Sequence, residues 1–202
     1  MHPNAAFRPR DPAALLDLIA AVSFARIFLI TPAGPRVAHA PLVVTPAGNL
    51  RFHLANGNAL TPHLAGSTVL TLVEGPHSYL SANWYPDQRG AVPTWNYIAV
   101  EAQGVVRLLD RGELAELLDA LAATLEPRVG EDWSRTKMDP ARFEAMLGAI
   151  TGFELAAPEL RGTFKLSQNH PAAQAAHLAD KVAANGNPPL AAAMRAEREV
   201  RV

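Results

Sequence analysis

Cysteine is absent from the chain, so disulfides, thiolate nucleophiles, Cys-ligated zinc and iron–sulfur clusters are all excluded. Neither G-x-G-x-x-G nor G-x-x-x-x-G-K-[ST] occurs, which removes the Rossmann turn and the P-loop as phosphate cradles. H-E-x-x-H, paired-histidine zinc spacing and G-x-S-x-G are missing too, so hydrolytic chemistry has no signature to stand on. No apolar run approaches the ~20 residues needed to span a bilayer. The opening MHPNAAFRPRD lacks the basic start and long apolar core of a signal peptide, and a cytoplasmic, non-membrane protein is expected.

A strong charge of either sign is also lacking. The formal net charge is −1, whereas nucleic-acid binding rests on a concentrated basic surface, so direct nucleic-acid binding is not expected. The nearest basic cluster is Arg195, Arg198 and Arg201, interleaved by Glu197 and Glu199, and it is expected to be a solvated helix end.

What is present suits a globular chain: 202 residues, 49% hydrophobic and 18% charged. A chain of this size buries roughly 70% of its unfolded surface without a staple, and a single domain over 1–202 is expected. Asp11-Pro12 and Asp139-Pro140 have the form of an N-cap followed by proline at the first helical position. Leu114, Leu117, Leu118, Leu121 and Leu125 recur at helical spacing. Helices are therefore predicted over 12–22, 113–125 (ending before Pro127) and 139–150, with a fourth, Ala-rich helix from near Pro171 to Asn185-Gly186.

Between the first two helices the pattern changes to ARIFLIT, RVAHAPLVVT, NLRFHLA, STVLTLVEG, HSYLSANWY and WNYIAVEAQGVVRLLD, six candidate strands. Their breaks fall at Pro32–Pro35, Pro46–Asn49, Gly75-Pro76 and Pro86–Gly90. Several breaks are too short for the crossover helix that a parallel pair needs, so antiparallel hairpins dominate. The gap from Asn56 to Gly66 has room for one helical turn. The expectation is an α+β, mainly antiparallel β protein, with a barrel core at about 25–110 and a helical remainder at about 111–202. A six-strand open sandwich is the alternative.

Several polar groupings stand out. In NLRFHLA, Phe52 and Leu54 share one face while Arg51, His53 and Ala55 share the other. His39 and Pro41 share a face of the neighbouring strand, and a strand proline marks an edge or a bulge. His53 is followed by Asn56-Gly57-Asn58, a turn whose N–H groups suit an anion, or a plain strand-to-helix turn capped by Asn58 or Thr61. GTFKLSQNHPAA places Lys165, Ser167 and Gln168 before Pro171. It is one more strand with a cap, or a strand end that binds phosphate or ring carbonyls. In VPTWNYIAVEAQG, Pro93, Trp95, Asn96 and Tyr97 crowd the mouth of an apolar run.

Taken together, His53-x-Ala55-x-x-Asn58, Asn83-Trp84-Tyr85-Pro86, Val92-Pro93-Thr94-Trp95-Asn96-Tyr97 and Lys165-x-Ser167-Gln168-Asn169-x-Pro171 resemble the PaiB-type FMN-binding proteins, labelled negative transcriptional regulators. The resemblance runs from the Pro3/Phe7 segment through about Ala184. It implies an FMN-binding split β-barrel with flanking helices, a homodimer, and flavin near the subunit interface. The implied cofactor-binding residues are His39, His53, Ala55, Asn56, Asn58, Trp95, Lys165, Ser167 and Gln168. Trp95 is placed beside a planar ligand or at the dimer seam, with barrel-core packing as the alternative. One departure stands out: Asn56 occupies a position where many relatives carry Arg. The function implied is a flavin-binding regulatory protein; a flavin-dependent oxidoreductase acting on a small molecule is the alternative.

Overall fold

The computed structural model describes residues 2–9 and 11–199. In chain order the elements are α1 (Ala13–Val22), β1 (Phe24–Thr31), β2 (Gly34–Val44), β3 (Leu50–Ala55), α2 (Thr61–Leu64), β4 (Thr68–Leu80), β5 (Thr94–Leu108), α3 (Arg111–Val129), α4 (Pro140–Leu147), β6 (Ile150–Leu155), β7 (Glu159–Lys165), α5 (Ala172–Ala184) and α6 (Pro188–Glu199). No helix among the described residues is long and apolar enough to cross a membrane. Arg201 lies outside the described residues.

The strand order is β4-β1-β2-β3-β6-β5-β7, and β4 also pairs with β5, so six strands close into a ring with β7 added alongside β5. The registers of β1–β2, β1–β4, β2–β3, β3–β6 and β5–β6 are all antiparallel. Closure removes the exposed edges that an open sheet would carry. This is the fold of the split-barrel proteins: an antiparallel ring with flanking helices.

Two boundaries depart from the sequence expectation. Gly75-Pro76 makes no turn; β4 runs straight through it as one 13-residue strand, because the φ that proline fixes is compatible with extended backbone. The sixth strand of the ring is instead β6, from the region expected to be helical. α4 stops at Leu147, Ala149 N–H bonds Met146 O, and Ala149 O accepts from Asn56 N, which starts the β3–β6 ladder. Ile150 therefore opens a strand and does not end a helix. α3 also continues past Pro127 to Val129. Gly130, at φ 78, closes it in the left-handed region. Arg128 anchors that last turn by donating to the carbonyls of Ala20 and Ala21 at 2.8 and 2.7 Å. The closing sequence also holds a helix of its own, α6.

The chain divides into two compact units: Leu16–Val73 with Glu101–Leu160, and Met1–Leu15 with Glu74–Val100 and Arg161–Val202. In the first unit, Leu42, Leu50, Phe52, Leu54, Phe153 and Leu155 are buried in the barrel, with Phe52 and Phe153 stacked at 5.5 Å. α3 lays Leu114, Leu117 and Leu121 against Val43, Leu109 and Leu147. Gly152 permits that approach, since a Cβ there would sit 2.9 Å from Leu114 Cδ1.

Buried Glu154 accepts from Arg51 Nε at 2.6 Å and Arg107 Nε at 2.9 Å. Glu113 joins the same group, accepting from Arg107 Nη2 at 2.7 Å and Arg51 Nη2 at 3.2 Å. It also completes a capping box with Asp110 at the start of α3.

In the second unit, α5 and α6 pack together around Leu178, Val182, Leu190 and Met194. Arg195 pairs with Asp180 at 2.6 Å, and Arg198 donates to the carbonyl of His170. Arg195 stays exposed, as expected of a solvated helix end, whereas Arg198 is half-buried and ties α6 to the start of α5, which departs from that expectation.

Candidate functional site

In the second unit, β5 opens with Thr94 and Asn96, and strand alternation turns Asn96 to the same side as buried Ile98 and Val100. Asn96 is 1% exposed. Its Nδ2 donates to Ser167 Oγ at 2.8 Å and approaches Met194 Sδ at 3.6 Å. Its Oδ1 is buried with no hydrogen-bond partner, a rare condition in a folded protein. Ser167, also buried, holds a φ of 64, a left-handed backbone that a non-glycine residue adopts only at a local cost. Lys165, at the end of β7, donates to Thr94 Oγ1 and lies 5.9 Å from the centroid of the Phe7 ring.

These four side chains line a pocket of about 370 Å³ together with Tyr85, Arg89 and His170, within the usual size range of small-molecule sites. Tyr85 and His170 meet edge to face at 5.4 Å. Burial, then the charge of Arg198, lowers the His170 pKa below its ordinary value, so this imidazole is neutral at pH 7. Burial raises the Tyr85 pKa and keeps the phenol protonated. Burial also lowers the Lys165 pKa, and the side chain is half-buried. Asp87 on the pocket wall pairs with Arg89 at 3.2 Å, and Lys165 is a second cation of the lining.

The other residues singled out from the sequence are placed elsewhere or are already engaged. Gln168 folds back on its own turn: Oε1 accepts from Leu166 N at 2.7 Å and Nε2 donates to Phe164 O. These two bonds fix the amide on its own turn and leave one N–H and one lone pair unused. Asn56 fastens its turn to the α4–β6 junction, donating to Gly148 O at 2.8 Å and accepting from Thr151 Oγ1 at 2.7 Å. Asn58 Oδ1 accepts from Leu60 N at 2.9 Å, an Asx turn, while the N-cap of α2 is Leu60 with no side-chain bond. Neither Asn58 nor Thr61 is that cap. Ala55 is exposed at the end of β3.

His39 is exposed on the outer face of β2, stacked on Phe24 at 6.1 Å. His53 lines a separate, apolar pocket. Trp95 is 52% exposed, which rules out core packing; it meets His77 at 5.7 Å and Tyr79 at 6.3 Å. Thus Lys165 and Ser167 share one pocket, and Asn96 joins them. The signal for Asn96 was its in-phase position with Ile98 and Val100, a polar residue on a core-facing register. Tyr85 stood in the Asn83-Trp84-Tyr85-Pro86 motif without a role, and His170 carried no comparable signal.

Comparison with known proteins bears on the family and the fold. Residues 1–158 match the family described as "Putative FMN-binding domain"; the match takes in Tyr85, Thr94 and Asn96 and ends before Lys165. Protease synthase and sporulation protein PAI 2 of Bacillus subtilis (strain 168) is 32% identical over 151 residues, covering 73% of this chain and 72% of that protein. The flavocytochrome Anf3 from Azotobacter vinelandii shares the fold with a TM-score of 0.64 at 17% identity, over 81% of this chain and 72% of that one. The FAD and heme binding protein from Mycobacterium smegmatis does so at 0.60 and 16%, over 90% and 80%. With a buried-strand ring, no glycine-rich phosphate loop and this match over most of its length, the chain belongs to the FMN-binding split-barrel family related to PAI 2.

Proposed function

We propose that the protein binds FMN at the Lys165 pocket and acts as a flavin-binding regulatory protein. The observation that carries this reading is the meeting of two sequence motifs: Thr94 and Asn96 from VPTWNY line one pocket with Lys165 and Ser167 from KLSQN. The donor set fits the cofactor. Lys165 suits the dianionic phosphate, and Ser167 Oγ, already accepting from Asn96, has its hydroxyl proton to give. The unpartnered Asn96 Oδ1 suits a donor that FMN also carries, a ribityl hydroxyl or ring N–H. FMN, when bound, supplies the redox chemistry, while the protein supplies binding and orientation.

The regulatory half of the proposal draws on the name of the relative, "Protease synthase and sporulation protein PAI 2". The near-neutral charge gives no basic surface for DNA, so regulation would run through a protein partner or through capture of a metabolite. The purified protein is expected to be yellow, to release FMN on denaturation, and to keep its flavin oxidised when mixed anaerobically with NADH or NADPH. Colourless protein that takes up no added FMN overturns the cofactor, and rapid bleaching by either nucleotide overturns the regulatory role in favour of an oxidoreductase.

The same reading includes a homodimer. On β1, Phe28 lies directly across from Val37 of β2 on one side and Leu70 of β4 on the other, and all three are exposed, as are Phe24 and Ile30, the latter at 84%. An outward apolar face of this extent needs cover. A stable interface buries upward of ~1,200 Å² in total. Light scattering at micromolar concentration is expected to give twice the 21.6 kDa chain mass; the mass of a single chain ends this part of the proposal.

A further inference from the structure

The barrel unit carries a cavity of about 420 Å³ that the flavin reading does not use. α3 lines it with Leu121 and Leu125, α4 with Phe143 and Met146, and the segment between them with Trp133 and Met138. Trp133 and Met146 stay substantially exposed, so large apolar side chains surround an open volume without filling it. The wall is braced: the Arg135 guanidinium sits 5.7 Å over the Phe143 ring and pairs with Asp119 at 3.1 Å.

One polar group reaches this cavity from the barrel. Strand alternation in β3 buries Phe52 and Leu54 in the core and turns His53 to the other side, where it joins the cavity lining. His53 Nδ1 is buried and has no hydrogen-bond partner. Burial also lowers its pKa, so the ring is neutral at pH 7. Buried polar atoms are almost always satisfied, and a neutral imidazole among apolar side chains is suited to a ligand hydroxyl. A charged ligand is disfavoured. An anion would face Glu126, and either sign of charge would lose hydration to aliphatic walls.

We propose that this cavity is a binding site for a small, uncharged, mainly aromatic molecule with one hydroxyl. Its hydrocarbon body rests on Leu121, Leu125, Phe143 and Met146, and its hydroxyl bonds His53. Apolar pockets with a single oriented polar group are the usual form of such sites, and the flanking thioethers make favourable contacts with aromatic rings.

The methionines provide a built-in readout. Met138 and Met146 line the cavity, whereas Met194 is buried beside Asn96. In the full chain with carbon-13-methyl methionine, titrated with 1-naphthol in the presence of saturating FMN, the Met138 and Met146 signals are expected to shift while Met194 stays. The isosteric probe 1-methylnaphthalene, lacking the hydroxyl, should bind about tenfold more weakly. His53→Phe should erase that preference, and Ala122→Trp, which fills the cavity from α3, should abolish the shifts, with an unmoved Met194 signal reporting an intact fold. The proposal is overturned if Met138 and Met146 do not respond to millimolar 1-naphthol, or if the two probes bind the native protein equally. It is also overturned if FMN alone moves the same two signals, which would make the cavity a flavin site.

Discussion

Lys165→Ala is expected to weaken FMN about ten- to a hundredfold while riboflavin binding stays nearly unchanged. A charge-assisted hydrogen bond contributes about 1.5–3 kcal/mol, and each 1.4 kcal/mol is roughly tenfold in affinity. The pocket concentrates that contribution in one side chain: Asp87 neutralises Arg89, and His170 is held neutral by burial and by Arg198. Because burial lowers the Lys165 pKa, FMN affinity should begin to fall at a lower alkaline pH than an ordinary lysine would dictate. The fold should tolerate the change, since the side chain is only half-buried and its partner Thr94 keeps a route to water. Isothermal titration with FMN and riboflavin decides the matter. Equal losses for the two ligands, or no loss for either, would falsify the assignment of the phosphate to Lys165.

The same residues show what a sequence can and cannot disclose. α1, α5 and the β1–β2 hairpin were legible because local signals, an N-cap with proline or a turn between alternating runs, agree with the tertiary outcome. β6 was not legible. ITGFEL follows a helical stripe without a strong break, and only pairing with β3 over six residue pairs makes it a strand. Gly75-Pro76 misled in the opposite direction, because a turn dipeptide is permitted, not compelled, to turn. At the site, Lys165 and Ser167 were visible as polar residues at a strand end, but their partners Thr94 and Asn96 are each 71 positions away. Asn56, Asn58 and Gln168 looked free because the bonds that engage them are local backbone contacts or distant carbonyls, which composition and spacing do not encode.

The largest stability effect is expected at Glu154. Breaking a buried ion pair by removing one partner typically costs 3–5 kcal/mol, because the other charge is left uncompensated. Glu154 serves two guanidiniums at once, but Arg107 is 44% exposed and Glu113 remains to bind both arginines. Solvent and Glu113 soften the loss, so Glu154→Ala should lower the unfolding free energy by about 2–4 kcal/mol. For a chain of this size that corresponds to roughly 5–15 °C in Tm. Acid titration supplies an independent check. Burial pushes the Glu154 pKa up, but the Arg51 and Arg107 hydrogen bonds outweigh it and hold the carboxyl below its ordinary value. Arg107, then the Asp110 N–H, hold Glu113 down to about 2, from 4.5. Both groups bind protons more weakly folded than unfolded, so their contribution is complete above the unfolded value and is lost as pH falls through the folded value, for Glu113 from 4.5 toward 2. Glu154→Ala removes one of these carboxylates and should flatten the loss of stability across that window. Denaturant melts of the native protein and the variant, run at neutral pH and through this acid range, test both statements. A variant as stable as the native protein, with an unchanged acid profile, would reduce the four-residue network to surface charge with no part in holding α3 to the barrel.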